Sequence, residues 1–249
     1  MTTPLEAKVA LVTGGSRGIG AAIAARLAAD GATVAFSYAR AADVAADLGK
    51  TLQARGLRAQ AFQADQADPA SCTRLVNEVV TTFGPLDILV NSAGVYQTGA
   101  IDDPERDDAV FAEQLQTNVV GVVATTRAAV LNFNDGGRIV SIGTTGAAQA
   151  PFPGLGDYVA TKAALAAYTR AWSRDLGPRR ITVNIVAPGA VNTDMNPADG
   201  PNGDFQKSLN SLNRFADPSE VAALVAFLTG PEAGFITGTT VNIDGGLSA

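Results

Sequence analysis

The chain has 249 residues, 47% of them hydrophobic and 17% charged, which fits a compact globular protein and excludes a disordered one. A net charge of −6 argues against non-specific nucleic-acid binding, which needs a basic stripe. With no histidine and a single cysteine, Cys72, the sequence rules out histidine-dependent hydrolases, imidazole or thiolate metal sites and an intrachain disulfide.

Short β-branched runs alternate with longer helical patterns along the chain. Val9 to Val12 reads as a strand, followed by an alanine-rich helix from Ile19 to Ala29. Thr33 to Ser37 is a second strand, with helical spacing from Asp43 to Arg55. A strand from Arg58 to Gln63 precedes a helix from Pro69 to Phe83, in which Cys72 reads as a small buried hydrophobe. Leu86 to Val90 is a buried strand, and one long helix runs on through Phe111 and Asn118 to about Leu131. Arg138 to Ile142 and Thr182 to Val186 are strands flanking a helix from Tyr158 to Leu176. Pro218 to Leu228 is the last helix and Thr240 to Ile243 the last strand. This alternation predicts an α/β fold, a Rossmann-type doubly wound sandwich whose seven-stranded parallel sheet carries helices on both faces.

No repeat or interdomain linker interrupts the pattern, so residues 1–249 read as one domain. The opening Met-Thr-Thr-Pro-Leu-Glu-Ala-Lys has no cationic or apolar signal region, and no apolar run is long enough to span a membrane. The expectation is a cytoplasmic protein without membrane or nucleic-acid partners. Two irregular stretches, Gly143 to Asp157 and Asn192 to Asn213, follow the carboxyl ends of strands, where ligands sit in open α/β sheets. The second reads as a substrate lid.

Thr13-Gly-Gly-Ser-Arg-Gly-Ile-Gly20 follows the first strand and opens the first helix. Glycines there permit a tight turn, and the helix start offers free N–H groups to a pyrophosphate. The spacing Gly14-x-x-x-Gly18-x-Gly20 differs from the commoner G-x-G-x-x-G, and its bland reading is a plain glycine turn. After the second strand, where a carboxylate would bind a free ribose, stand Tyr38 and then Arg40. Arg17 and Arg40 could both attract a 2′-phosphate, which favours NADP(H) over NAD(H); either could also be a surface charge.

Tyr158 and Lys162, four apart, fall on one helix face. The ammonium would favour the ionised phenol and lower its pKa, a route to proton transfer in a chain lacking histidine.

In their order these motifs resemble the short-chain dehydrogenase/reductase family over essentially the whole chain. The resemblance implies that Gly14, Ser16, Arg17, Gly18, Ile19 and Gly20 hold the cofactor phosphates. It places Asp65 and Gln66 at the adenine, and Asn91-Ser-Ala-Gly94 as the N-N-A-G motif, with Ser92 departing from it and Ala93 and Gly94 lining the cofactor. It implies cofactor contacts from Pro188, Gly189, Val191 and Thr193 as well as Tyr158 and Lys162. The catalytic set it implies is Asn118, holding a water on the proton path, with Thr144, Tyr158 and Lys162. Thr144 stands where the family has serine; Thr145 is the neighbouring alternative, and Ser141 falls on the strand. No metal is implied.

The expected activity is NADPH-dependent carbonyl reduction, with a non-catalytic nucleotide-binding regulator as the alternative. Thr144, Tyr96, Ala150, Phe152, Leu155 and Met195 are the expected substrate contacts. Few cations stand among them, so a neutral or partly apolar ketone, aldehyde or alcohol is expected rather than a phosphorylated one. Through the resemblance, a homotetramer (or homodimer) is expected.

Overall fold

The computed structural model describes residues 3–249; Met1 and Thr2, which begin the amino-terminal stretch read above, lie outside the described residues. Seven strands form one parallel sheet: β1 (Val9–Val12), β2 (Thr33–Tyr38), β3 (Ala59–Gln63), β4 (Leu86–Asn91), β5 (Phe133–Ile142), β6 (Thr182–Pro188) and β7 (Thr240–Ile243). Their order is β3-β2-β1-β4-β5-β6-β7, every neighbouring pair parallel. The helices are α1 (Gly18–Ala29), α2 (Ala42–Ala54), α3 (Pro69–Phe83), α4 (Asp108–Leu115), α5 (Gly121–Val130), α6 (Gly146–Gln149), α7 (Gly156–Leu176), α8 (Gly203–Ser208) and α9 (Pro218–Thr229).

Alternation along the strands sorts the core into two layers. Ala10 and Val12 of β1, with Val34 and Phe36 of β2, face one side and pack on Ile23 and Leu27 of α1 and Val221 and Val225 of α9. Leu11 and Ala35 face the other side and pack with Leu75, Val76 and Val79 of α3 and Ala129 of α5. Fully burying each valine, leucine, isoleucine or phenylalanine among them contributes about 1.5–3 kcal/mol. Both faces of the sheet are therefore dry, which explains the near-continuous apolar strands.

Aspartates mark helix starts. Asp68 accepts from the Ala70 N–H ahead of α3, and Asp217 and Glu220 make a reciprocal capping box ahead of α9.

Three local features differ from the expected pattern. The long helix expected through Asn118 is interrupted by a π turn over Gln116–Val120, separating α4 from α5. Such a turn takes in only one extra residue, too small a shift for periodicity to reveal it. Packing at its exit demands glycine: a Cβ on Gly121 would overlap the Gln66 carbonyl oxygen. β5 begins at Phe133, which pairs with Leu86 before the register shifts across the Asn-Asp-Gly-Gly turn signal. The two irregular stretches contain the short helices α6 and α8.

From β3 the chain returns across the sheet to pair β4 with β1. The loops leaving β1 and β4 thus diverge, opening a crevice at the carboxyl ends of the central strands.

Candidate active site

That crevice is a cleft of about 930 Å³ that runs from the glycine loop to the lid. At one end Gly14, Ser16, Arg17, Gly18, Ile19 and Gly20 line it. Gly14 has a φ of +61°, and a Cβ there would stand 2.7 Å from the Ala93 Cα, so this turn tolerates neither another conformation nor a side chain. Two buried hydroxyls pin the loop. Thr13 Oγ1 accepts from the N–H groups of Ser92 and Ala93, each at 3.1 Å, and Ser37 Oγ accepts from the Gly14 N–H at 3.1 Å. The sequence reading missed Ser37, whose only signal is its place at the end of the second strand.

Tyr38, Arg40, Asp65 and Gln66 line the same end. Arg40 is almost fully exposed, and its Nη2 lies 3.8 Å from Glu113 of α4 across the cleft. Arg17 is exposed as well, so two guanidinium groups reach solvent beside the glycine loop. Ala93 and Gly94 line the middle of the cleft. Asn91 does not: it is buried in β4, donating to Thr126 and Ser141 at 3.2 and 3.3 Å. Its side chain supports the cleft floor from beneath, between β5 and α5.

Pro188, Gly189, Val191 and Thr193 form the wall beyond β6. A dinucleotide fits this arrangement: a glycine-rich loop at a helix start, exposed guanidinium groups beside it, and a continuous groove onward to the polar pair on α7.

On α7, Tyr158 and Lys162 both face the cleft. Lys162 is buried, and its Nζ donates to the Ile142 carbonyl at 2.9 Å and stands 5.9 Å from the Tyr158 ring centroid. Burial pushes the Lys162 ammonium down to about 8. The expected acidification of Tyr158 is not seen. Burial first, and then the neighbouring Tyr96, push its hydroxyl above the ordinary phenol value. Desolvation of the phenolate outweighs the attraction of an ammonium engaged by a carbonyl. Tyr96 meets the Tyr158 ring edge-on, with centroids 4.8 Å apart.

Asn118 is fully buried, and its side chain is spent on protein partners. Its Oδ1 accepts from the Val95 N–H at 2.9 Å; its Nδ2 donates to the Val95 carbonyl at 2.9 Å and to Thr161 Oγ1 at 3.2 Å. The carboxamide does not line the cleft; it braces the loop after β4. Gly94 makes room for this packing: its Cβ position lies 3.2 Å from Asn118 Oδ1 and 3.4 Å from Lys162 Nζ.

Thr144 lines the cleft, and its Oγ1 accepts from the Gly146 N–H at 3.2 Å. Thr145 is buried and donates to the Ala187 carbonyl at 3.0 Å, turned away from the cleft. Ser141 lies on β5, buried. Of the two threonines, geometry selects Thr144 as the hydroxyl beside Tyr158.

Over this end, Tyr96, Phe152, Leu155 and Met195 line the cleft, and Phe205 of α8 meets Phe152 edge-on at 6.0 Å. The lid is knotted by reciprocal amide bonds between Asn196 and Gln206, 2.8 and 2.9 Å. Ala150 ends α6 in a left-handed turn and lines an adjoining depression that shares Phe152 and Leu155 with the cleft. The start of α7 is held by Arg106, which donates to Asp157 at 2.7 Å and lies 3.8 Å over the Phe111 ring. Among the described residues no cluster of metal-ligating side chains is present, and no helix is long and apolar enough to cross a membrane.

Known proteins share this architecture. A family model described as Enoyl-(Acyl carrier protein) reductase matches residues 14–248. A short-chain dehydrogenase from Burkholderia cenocepacia J2315, solved in complex with NADP, is 50% identical, with a TM-score of 0.95 covering 99% of this chain and 100% of that one. A blue fluorescent protein from a metagenomic library, solved in complex with NADPH, is 44% identical, with a TM-score of 0.96 and coverage of 99% and 100%. The cyclic-di-GMP-binding biofilm dispersal mediator protein of Escherichia coli (strain K12) is 41% identical over 242 residues, 97% of this chain and 98% of that protein.

Proposed function

Because the chain belongs to the short-chain dehydrogenase/reductase family of oxidoreductases, we propose that it is an NADPH-dependent carbonyl reductase that also runs backwards as an alcohol dehydrogenase. The observation that carries this reading is the shared cleft: the Tyr158, Lys162 and Thr144 side chains line one end and the glycine loop the other. When bound, the reduced nicotinamide supplies a hydride to the carbonyl carbon. The loop from Gly14 to Gly20 holds the pyrophosphate, and Lys162 holds the nicotinamide ribose. Thr144 and Tyr158 donate to the carbonyl oxygen, and Tyr158 gives its proton to the developing alkoxide. Burial keeps the phenol protonated, so the proton is in place for the far more basic alkoxide, and Lys162 replaces it. The aromatic and apolar lining of Tyr96, Phe152, Leu155, Met195 and Phe205 suits a neutral, partly apolar ketone or aldehyde.

NADP(H) is preferred over NAD(H) because the exposed Arg17 and Arg40 stand beside the loop, and two relatives were solved with NADP or NADPH. Replacing both arginines by alanine should weaken NADPH binding about 10- to 100-fold and leave NADH binding unchanged, read by titration calorimetry. Equal loss for both cofactors would remove the 2′-phosphate assignment. For Thr144, alanine should lower kcat about 100-fold, while serine should stay within about threefold of the parent. A Thr144→Ala protein of normal kcat would return the role to another hydroxyl.

The domain reading is one unit with a lid over residues 192–213, in a cytoplasmic homotetramer or homodimer. Exposed Leu115 and Leu131, beside α5, and Tyr168 of α7 support helix pairing between copies. Sedimentation equilibrium tests the assembly.

A second reading, a nucleotide-binding regulator without turnover, is favoured by the similarity to the biofilm dispersal mediator. NADPH binding without oxidation across chemically varied ketones would select it.

A further inference from the structure

Tyr96 stands between two side-chain anchors on its own backbone. On one side the Val95 N–H and carbonyl are both held by Asn118 at 2.9 Å. On the other, the Gln97 N–H donates to Gln114 Oε1 at 2.7 Å. Gln114 and Asn118, four apart on the helix that enters the π turn, are both fully buried. The orientation of the Gln114 amide follows from its partner, since an N–H can be answered only by Oε1. That leaves Nε2 buried with no partner. What lies between the two anchors is Tyr96, whose ring meets Tyr158 edge-on with centroids 4.8 Å apart and planes at 83°.

We propose that Gln114 is a positioning residue that holds the Val95–Gln97 backbone, so that the Tyr96 ring braces the phenol of Tyr158 against the cleft wall. The proposal rests on the reductase reading for its effect on turnover, though not for the contact itself. Without Oε1 the Gln97 end of the loop is released, and a proton donor displaced by an ångström reacts far more slowly.

The chain has only four tyrosines, so ring spectra of protein carrying labelled tyrosine resolve Tyr158, identified by its disappearance in Tyr158→Phe. Gln114→Met removes the acceptor at similar volume, Gln114→Glu keeps an oxygen facing Gln97, and Tyr96→Leu removes the brace. In Gln114→Met the Tyr158 resonance should move toward its position in Tyr96→Leu, and kcat should fall about 30-fold with NADPH affinity and thermal midpoint maintained. Gln114→Glu should restore both resonance and kcat. Adding Gln114→Met to Tyr96→Leu should cause no further loss, as expected of residues acting through one another. Should Gln114→Met not fold, Gln114→Asn, which withdraws the oxygen by one methylene, gives the same comparison. An unmoved resonance, fully additive losses, or a moved resonance with kcat within about threefold of the parent would each overturn the proposal. If the parent protein turns over no carbonyl at all, the reductase reading fails, and the resonance comparison still decides whether Gln114 braces Tyr158.

Discussion

Tyr158→Phe should lower kcat by about 1,000-fold or more while leaving NADPH affinity within about threefold of the parent. The substitution removes one oxygen from a ring whose packing against Tyr96 is retained, so the cleft keeps its shape. A loss of that size corresponds to about 4 kcal/mol of transition-state stabilisation, within reach of a charge-developing hydrogen bond combined with proton donation. The binding half of the prediction matters as much. The substitution leaves the glycine loop and the Pro188–Thr193 wall as they are, so calorimetric NADPH binding should be untouched. Turnover retained by Tyr158→Phe would mean that the proton donor is misassigned. Lost turnover together with lost binding would mean a collapsed cleft.

Lys162→Met is expected to be nearly as severe for turnover, about 100-fold or more, because it removes the group that returns the proton to Tyr158. It also has a signature in stability. Burial lowers the Lys162 ammonium from 10.5 to about 8 in the folded chain. Below pH 8 the lysine is protonated folded and unfolded, and the full penalty of burying its charge is present. Between about 8 and 10.5 the unfolded chain binds the extra proton, so stability rises with pH relative to a chain without the group. The thermal midpoint of the parent minus that of Lys162→Met should therefore climb across this window and level off above it. A flat or falling difference would show that the ammonium is not buried in solution as it is against Ile142.

Helix and strand order, the crossover and the position of the glycine loop were legible in the sequence, because two-sided burial of the sheet imposes continuous β-branched runs and local chemistry marks the helix starts. The spacing of Tyr158 and Lys162 on one helix face was equally legible, since it follows from helical geometry alone. Choosing Thr144 over Thr145 was not fully so: adjacent hydroxyls point oppositely, and only the packing of Thr145 on Ala187 decides which one faces the cleft. The π turn around Asn118 was invisible, because a register shift of one residue is too small to stand out in the apolar pattern of one helix. Where the Asn91 and Ala150 side chains point was not legible either, since the strand pleat and a left-handed turn decide it.

The direction of the Tyr158 shift was the largest reversal. A sequence places charges at intervals but says nothing of how much water remains around them, and desolvation depends on every element that closes over the cleft. Residue type and spacing thus determined the architecture and the chemical groups available; tertiary packing alone decided their orientation, their partners and their hydration, because those are set by contacts between segments far apart along the chain.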